Sequence, residues 1–279
     1  MKKLFLCAAI AVCMLACKSK DEPENLQKHQ VTFHVPGMVV ETEPMNAPAV
    51  RKVAPLTDDD GQQMTMLLMF DGSDLLVQQP NTDPNFGTIT VLLTTGTHHL
   101  HFIATRSTGL AYNEGILTFE SLRPTFGKHY DLNVSGSSDE NIAMDRITGQ
   151  VVITIEDEVP TGAANLRIQM GDSYMGIDPT TFNGVRTGAF EANASLTGKV
   201  GSSDNEWKIN VLVPEYQVEH ETSFTLTATN TSSQVIGQAT GTIPCNNNTK
   251  TLLHGNLFTG TRSFLTLTTS WNADNDVDF

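Results

Sequence analysis

Phe224-Thr225-Leu226-Thr227-Ala228-Thr229 alternates apolar and polar side chains without interruption, and this run sets the reading of the whole chain. A β-strand points successive side chains to opposite faces, so Phe224, Leu226 and Ala228 share one face and the threonines the other. The pattern recurs. Val31, Phe33 and Val35 alternate with Thr32 and His34; Leu100, Phe102 and Ala104 alternate with His99, His101 and Ile103; Ile147, Gly149, Val151, Ile153 and Ile155 share one face. Thr, Val and Ile at period two mark half-buried antiparallel strands. Further strands are expected near 64–70, 87–93, 129–134, 165–170, 207–213, 234–243 and 263–269, and the first is expected to reach as far as Val40. Gly, Pro, Asn and Asp punctuate the gaps, as at Asn81-Thr82-Asp83-Pro84 and Asp178-Pro179. Only residues 114–122 read as a short helix. The expected fold class is all-β, built of sandwiches, because strands do not alternate with helices.

Upstream of the strands, Lys2 and Lys3 precede an apolar run, Leu4 to Leu15, that is too short to span a bilayer and ends at Ala16-Cys17. This reads as a lipoprotein signal peptide over residues 1–16, with Cys17 acylated and tied to the outer membrane. Several acyl chains at about 0.8 kcal/mol per buried CH₂ make a near-permanent tether. Residues 17–30 are polar and charged and read as a flexible tether. The small, polar tract Ser135-Gly136-Ser137-Ser138-Asp139-Glu140-Asn141 divides the rest into an expected N-terminal β-sandwich over 31–136 and a C-terminal one over 142–279. A second such tract, Gly201-Ser202-Ser203-Asp204-Asn205, reads as a connection between two strands.

Composition narrows the partners. The loss of Lys2 and Lys3 leaves 15 basic residues against 31 acidic ones, moving the charge from −14 to −16. Such a chain repels nucleic acid and anionic headgroups. With Cys7 and Cys13 lost and Cys17 acylated, Cys245 stands alone, which excludes an intramolecular disulfide and a thiolate metal cluster. It reads as a half-buried structural thiol.

Motifs for chemistry are sparse. His99 and His101 share a strand face about 7 Å apart and would need a third ligand from elsewhere to hold a metal, so they read as exposed strand histidines. Asp58-Asp59-Asp60-Gly61 lacks the alternating ligands and distal Glu of a calcium loop and reads as a solvated turn. Asp274-Asn275-Asp276-Val277-Asp278 alternates but has no glycine turn. Gly-x-Ser-x-Gly, His-Glu-x-x-His, a P-loop and a dinucleotide fingerprint do not occur. No catalytic set, metal or cofactor is expected. Between the first two strands, Met45-Asn46-Ala47-Pro48-Ala49-Val50-Arg51-Lys52-Val53 has two prolines and a dibasic pair, so an accessible loop is expected, open to cleavage after Arg51 by a trypsin-like or Arg-specific protease.

Several segments carry a family likeness: Val31-Thr32-Phe33-His34-Val35-Pro36-Gly37 with Glu43-Pro44-Met45, Gly87 to Leu93 with Gly96 to Ala104, Met144 to Ile147 with Asp157 to Pro160, and Ile243-Pro244 through Thr251 with Gly255 to Thr259. The chain resembles the fimbrillins and fimbrillin-associated anchor proteins of Bacteroides-type bacteria, the subunits of lipoprotein-derived (type V) pili. The resemblance implies two tandem transthyretin-like (Greek-key) β-sandwich domains and assembly with other fimbrial subunits by strand exchange. It implies that Val31, Phe33 and Val35 form a first strand to be displaced, with Arg51 and Lys52 flanking the processing bond. It also implies a donor strand over 263–271 carrying Leu265, Leu267 and Trp271. An anchor would keep the lipid on Cys17, whereas a stalk or tip subunit would shed it; the sequence leaves both open, and the adhesive ligand unknown. The expected function is a non-enzymatic fimbrial or adhesive subunit at the cell surface. The competing reading is a surface glycan-binding lipoprotein of a polysaccharide uptake system, for which Trp207 and Trp271 would be the stacking residues.

Overall fold

The computed structural model describes residues 27–36, 56–58, 60–171, 174–186, 190–259 and, as backbone only, 264–270. The first half comprises β1 (Lys28–His34), β2 (Met66–Asp71), β3 (Asp74–Pro80), β4 (Thr88–Thr94), β5 (Gly96–Thr105), β6 (Ala111–Asn113), β7 (Ile116–Thr118), β8 (Thr125–Val134), β9 (Ser138–Asn141) and β10 (Asp145–Arg146). The second half continues with β11 (Gly149–Ile155), β12 (Ala163–Met170), β13 (Tyr174–Ile177), β14 (Gly184–Arg186) and β15 (Phe190–Ser195). After them come β16 (Asn205–Val211), β17 (Glu221–Asn230), β18 (Val235–Pro244), β19 (Thr249–Gly255) and β20 (Phe264–Ser270). Among the described residues the one helical piece is a 3-10 turn, Thr197–Lys199. The protein is all-β, as the period-two alternation predicts.

The two halves repeat one strand plan. In the first, a sheet ordered β4-β1-β9 faces a sheet ordered β8-β5-β2-β3, which β10 extends beyond β8. In the second, β16-β11-β19 faces β18-β17-β12-β15, and β20 extends beyond β19. The leading strand of each half, β1 or β11, lies between an antiparallel neighbour and a parallel one. Alternating inward residues fill the space between each pair of sheets. Val31, Phe33, Leu67, Met69, Leu100, Phe102 and Phe126 belong to one core; Val151, Ile153, Leu166, Ile168, Phe224, Leu226 and Leu253 belong to the other.

Each half also carries an inserted hairpin at a different point: β6–β7 between β5 and β8, and β13–β14 between β12 and β15. These two insertions pair with each other. β7 runs antiparallel to β13, giving a four-stranded sheet ordered β14-β13-β7-β6 that draws on both halves. A third apolar cluster lies beneath it, with Leu68, Phe70 and Ile103 from the outer face of β2 and β5, Leu117 and Phe119 from the first insertion, and Ile177 and Phe182 from the second. The β2–β5 region of the first half is therefore covered on both faces, and β5 is buried without alternation from Leu100 to Thr105.

Several expectations are corrected. Residues 114–122 are not helical; Ile116–Thr118 is a strand, and Glu114 and Gly115 make the turn before it with positive φ (51° and 82°). The division at 135–141 is not a free linker, because Ser138–Asn141 pairs in parallel with Val31–His34 and Ile142 belongs to the first core. The first half thus runs past residue 136, and the hand-over falls between β10 and β11. At the other end, Lys28 to Gln30, expected in the tether, are already part of β1. The expected continuation of that strand to Val40 lies outside the described residues beyond Pro36.

Candidate functional site

β1 is held along both edges. Its backbone pairs with β4 from Lys28↔Thr94 to His34↔Thr88 and with β9 from Val31↔Ser138 to His34↔Asn141. Beyond the strand, the Val35 N–H donates to the Gly87 carbonyl (2.8 Å), and the Ile142 N–H donates to the His34 carbonyl (2.8 Å). Side chains at period two point into the core: Val31 and Phe33 are fully buried and Val35 nearly so. Phe33 meets Phe102 with ring centroids 5.2 Å apart. The outward residues stay polar, with the Thr32 and Thr90 hydroxyls 3.2 Å apart. A gap left by β1 would present two open strand edges and a row of pockets spaced for alternate apolar side chains, the geometry that accepts an extended peptide.

The two ends of the chain differ in this respect. Among the described residues β20 is an edge strand paired only with β19, from Thr249↔Ser270 to Gly255↔Phe264. It places the backbone of Leu265 opposite His254 and of Leu267 opposite Leu252. Cys17, Arg51, Lys52, Trp271 and the Asp274–Asp278 run lie outside the described residues.

Of the two strand histidines expected to be exposed, His99 is and His101 is not. His99 is exposed and its Nδ1 lies 2.7 Å from Asp131 on β8. His101 is 8% exposed, with Nδ1 2.7 Å from Nδ1 of His129. The register that sets Asp131 opposite His99 and His129 opposite His101 is a long-range pairing that strand alternation does not reveal. His98, on the other face, points Nδ1 at Asp71 Oδ2 (2.6 Å) and Nε2 at the Thr94 carbonyl (2.9 Å). Among the described residues no three His, Cys, Asp or Glu side chains group so as to hold a metal ion.

The remaining candidates resolve into structural roles. Asp58, expected in a solvated turn, is 3% exposed. Its carboxylate accepts the N–H groups of Asp60 (3.1 Å) and Gln62 (2.8 Å) and pairs with Arg106. Cys245, expected half-buried, is 4% exposed, and burial pushes its thiol up to about 12. Trp207 packs against the second core with the Lys199 ammonium 5.3 Å from its ring centre, so one face already has a partner. Sequence reading missed Asp157, whose carboxylate accepts the N–H groups of Leu257, Phe258 and Thr259 (3.0, 2.7 and 2.7 Å). A groove of about 420 Å³ runs where the halves meet, with Glu120, Arg123, Glu191 and Lys208 on its walls. Charges of both signs line it, and Glu191 is committed to Arg167, which together with Asn193 holds its carboxyl below the usual range.

These features define an all-β protein of two facing-sheet units, each led by a strand inserted between an antiparallel and a parallel partner. Solved structures of similar fold include a candidate adhesin from Bacteroides thetaiotaomicron VPI-5482 (10% identity, 89% of this chain and 98% of that one, TM-score 0.49). A candidate cell adhesion protein from Bacteroides ovatus ATCC 8483 is similar at 8% identity over 90% of this chain and 99% of that one (TM-score 0.48). So is the fimbrial anchor protein Mfa2 from Porphyromonas gingivalis, at 11% identity over 88% and 98% (TM-score 0.46). The likeness is one of fold. No family model matches the chain, and no curated protein sequence matches it.

Proposed function

We propose that this chain is a non-enzymatic structural and adhesive subunit of a bacterial surface fimbria, exported as a lipoprotein acylated on Cys17 and joined to its neighbours by β-strand addition. The two facing-sheet units are read as tandem transthyretin-like domains, with the boundary moved past Asn141. The observation that carries the proposal is the contrast between β1 and β20. β20 lies outside the strand plan that both halves share and, among the described residues, hangs on one edge by a single ladder. β1 fills a slot that offers two ladders and buried pockets for Val31, Phe33 and Val35. A strand moved from the first kind of position to the second gains a ladder and an apolar face, which favours exchange between copies. The sequence resemblance supports the same reading, with cleavage between Arg51 and Lys52 as the step that frees β1 from the rest of the chain.

The test is cleavage of the purified chain with an Arg-specific protease, followed by addition of a synthetic peptide spanning residues 263–271. The expected result is loss of the fragment ending at Arg51, a new N-terminus at Lys52, and capture of the peptide in its place. Arg51→Ala should block all three. Cleaved protein that keeps its N-terminal fragment and ignores the peptide would sink the proposal.

A further inference from the structure

Three elements meet on the face of the β8-β5-β2-β3 sheet that looks away from its own core. The His101 and His129 rings lie edge to face there, with centroids 4.8 Å apart at 86° and Nδ1 atoms 2.7 Å apart. His129 stacks on Phe182 at 3.8 Å and 15°, and Phe182 stands edge-on to Tyr216 at 5.5 Å. Phe182 comes from the other half, at the tip of the β13–β14 turn, with φ of 60°. Such backbone is costly for a bulky side chain and persists only where its surroundings hold it.

Here the surroundings do hold it. Asp178 accepts the Thr180 N–H (2.8 Å) and hydroxyl (2.7 Å) with its carboxylate, and the Phe182 N–H (2.8 Å) with its carbonyl. Asn183 accepts the Tyr216 N–H at 2.8 Å. The receiving socket is Gly127 on β8, where a Cβ would lie 2.7 Å from Phe182 Cζ and 3.0 Å from Ile147 Cγ2.

Two like nitrogens at hydrogen-bonding distance need one N–H and one lone pair. Neutral imidazoles in opposite tautomers supply them. A first added proton goes to Nε2 of the donor ring and leaves the contact intact. A second must sit on the accepting Nδ1, where two N–H groups then oppose each other, and the contact cannot survive. We propose that the His101–His129 contact is a proton-operated latch between the halves: it seats Phe182 over Gly127 while it carries at most one extra proton, and a second proton parts the rings and unseats the β13–β14 turn.

The surrounding charges tune it. Around His101, desolvation first and then His99 of β5 oppose a proton against Asp178 of the turn, Asp131 of β8 and Asp71 of β2, and the net effect is a lowered value. Around His129, desolvation first, then His101 and Lys128, oppose the proton against Asp131 and Asp178, and hold it down to about 4. Tyr216, the other titratable ring against Phe182, is pushed up by burial and by Asp145, and stays neutral in this range. Folding and packing thus favour the neutral imidazoles. The stability that the neutral pair contributes is complete above the free-histidine value of 6.5 and fades as the pH falls toward about 4, where the second proton parts the rings.

Amide hydrogen exchange of the full chain, corrected for the intrinsic effect of pH, tests the latch. Protection of residues 178–184 should fall about tenfold or more between pH 6.5 and pH 4, while β17 keeps its protection. His129→Phe keeps an aromatic ring on Phe182 without a titrating group and should abolish the acid step; should that variant lose β17 protection at pH 7, His129→Gln takes its place. An acid step that survives in the folded variant, or a wild-type chain that shows none, overturns the latch.

Discussion

At the residue scale the histidines split into two sets of opposite sign. His98 points one ring nitrogen at a carboxylate and the other at a carbonyl, with the Thr94 hydroxyl 3.4 Å from the second, and the two acceptors favour a proton on the ring. Desolvation pulls its value down, but the hydrogen bonds to Asp71 and Thr94 and the Asp71 charge outweigh it, so the net shift is upward. A raised folded value means that its contribution is complete below the free-histidine value and fades as the pH rises through the folded one. His98→Gln should therefore cost about 1–3 kcal/mol in urea unfolding at pH 6 and clearly less at pH 9. A cost that does not change with pH would contradict the upward shift. His101 and His129 act in the opposite sense, so stability should be greatest between the two effects.

At the element scale β1 carries both the architecture and the proposed exchange. Phe33→Ala removes a fully buried ring that packs on Phe102 and should cost about 3–5 kcal/mol, whereas Thr32→Ala, on the outward face, should stay within about 0.5 kcal/mol. Denaturant midpoints of the two variants check this, and equal losses would mean that β1 does not sit with Phe33 inward. β1 was legible because Val31, Phe33 and Val35 alternate, as were β12 and β17, whose apolar faces repeat at period two. β9 was not, because Ser138-Asp139-Glu140-Asn141 has no apolar side chain and owes its place to backbone pairing with β1. β6, β7, β13 and β14 escaped for a related reason, since strands of three or four residues are too short to show a period. The burial of His101 escaped with them, because the ring that shelters the pair, Phe182, comes from a turn some eighty residues further along the chain, and no local pattern contains it.

At the scale of the whole molecule, the insertions decide whether the two units behave as beads or as one body. Each half has its own core, so each could in principle unfold alone. Against that stand the β7–β13 ladder, the bond from the Phe119 N–H to the Met175 carbonyl (2.8 Å) and the shared cluster of Leu68, Phe70, Ile103, Leu117, Ile177 and Phe182. Unfolding either half alone would expose that cluster and leave the pairing edge of the other insertion open, a cost that couples the two transitions. Trp207 sits on β16 and reports on the second half, while far-ultraviolet circular dichroism reports on strands of both. In the intact chain the two signals should follow one urea transition. Replacing Ala111–Thr118 by a short Gly-Ser turn removes β6 and β7 but leaves both sandwich cores in place, and should separate the signals into two transitions. Coincident curves in that variant would mean that the halves are coupled by something other than their insertions. Separate curves in the intact chain would mean that they are not coupled at all.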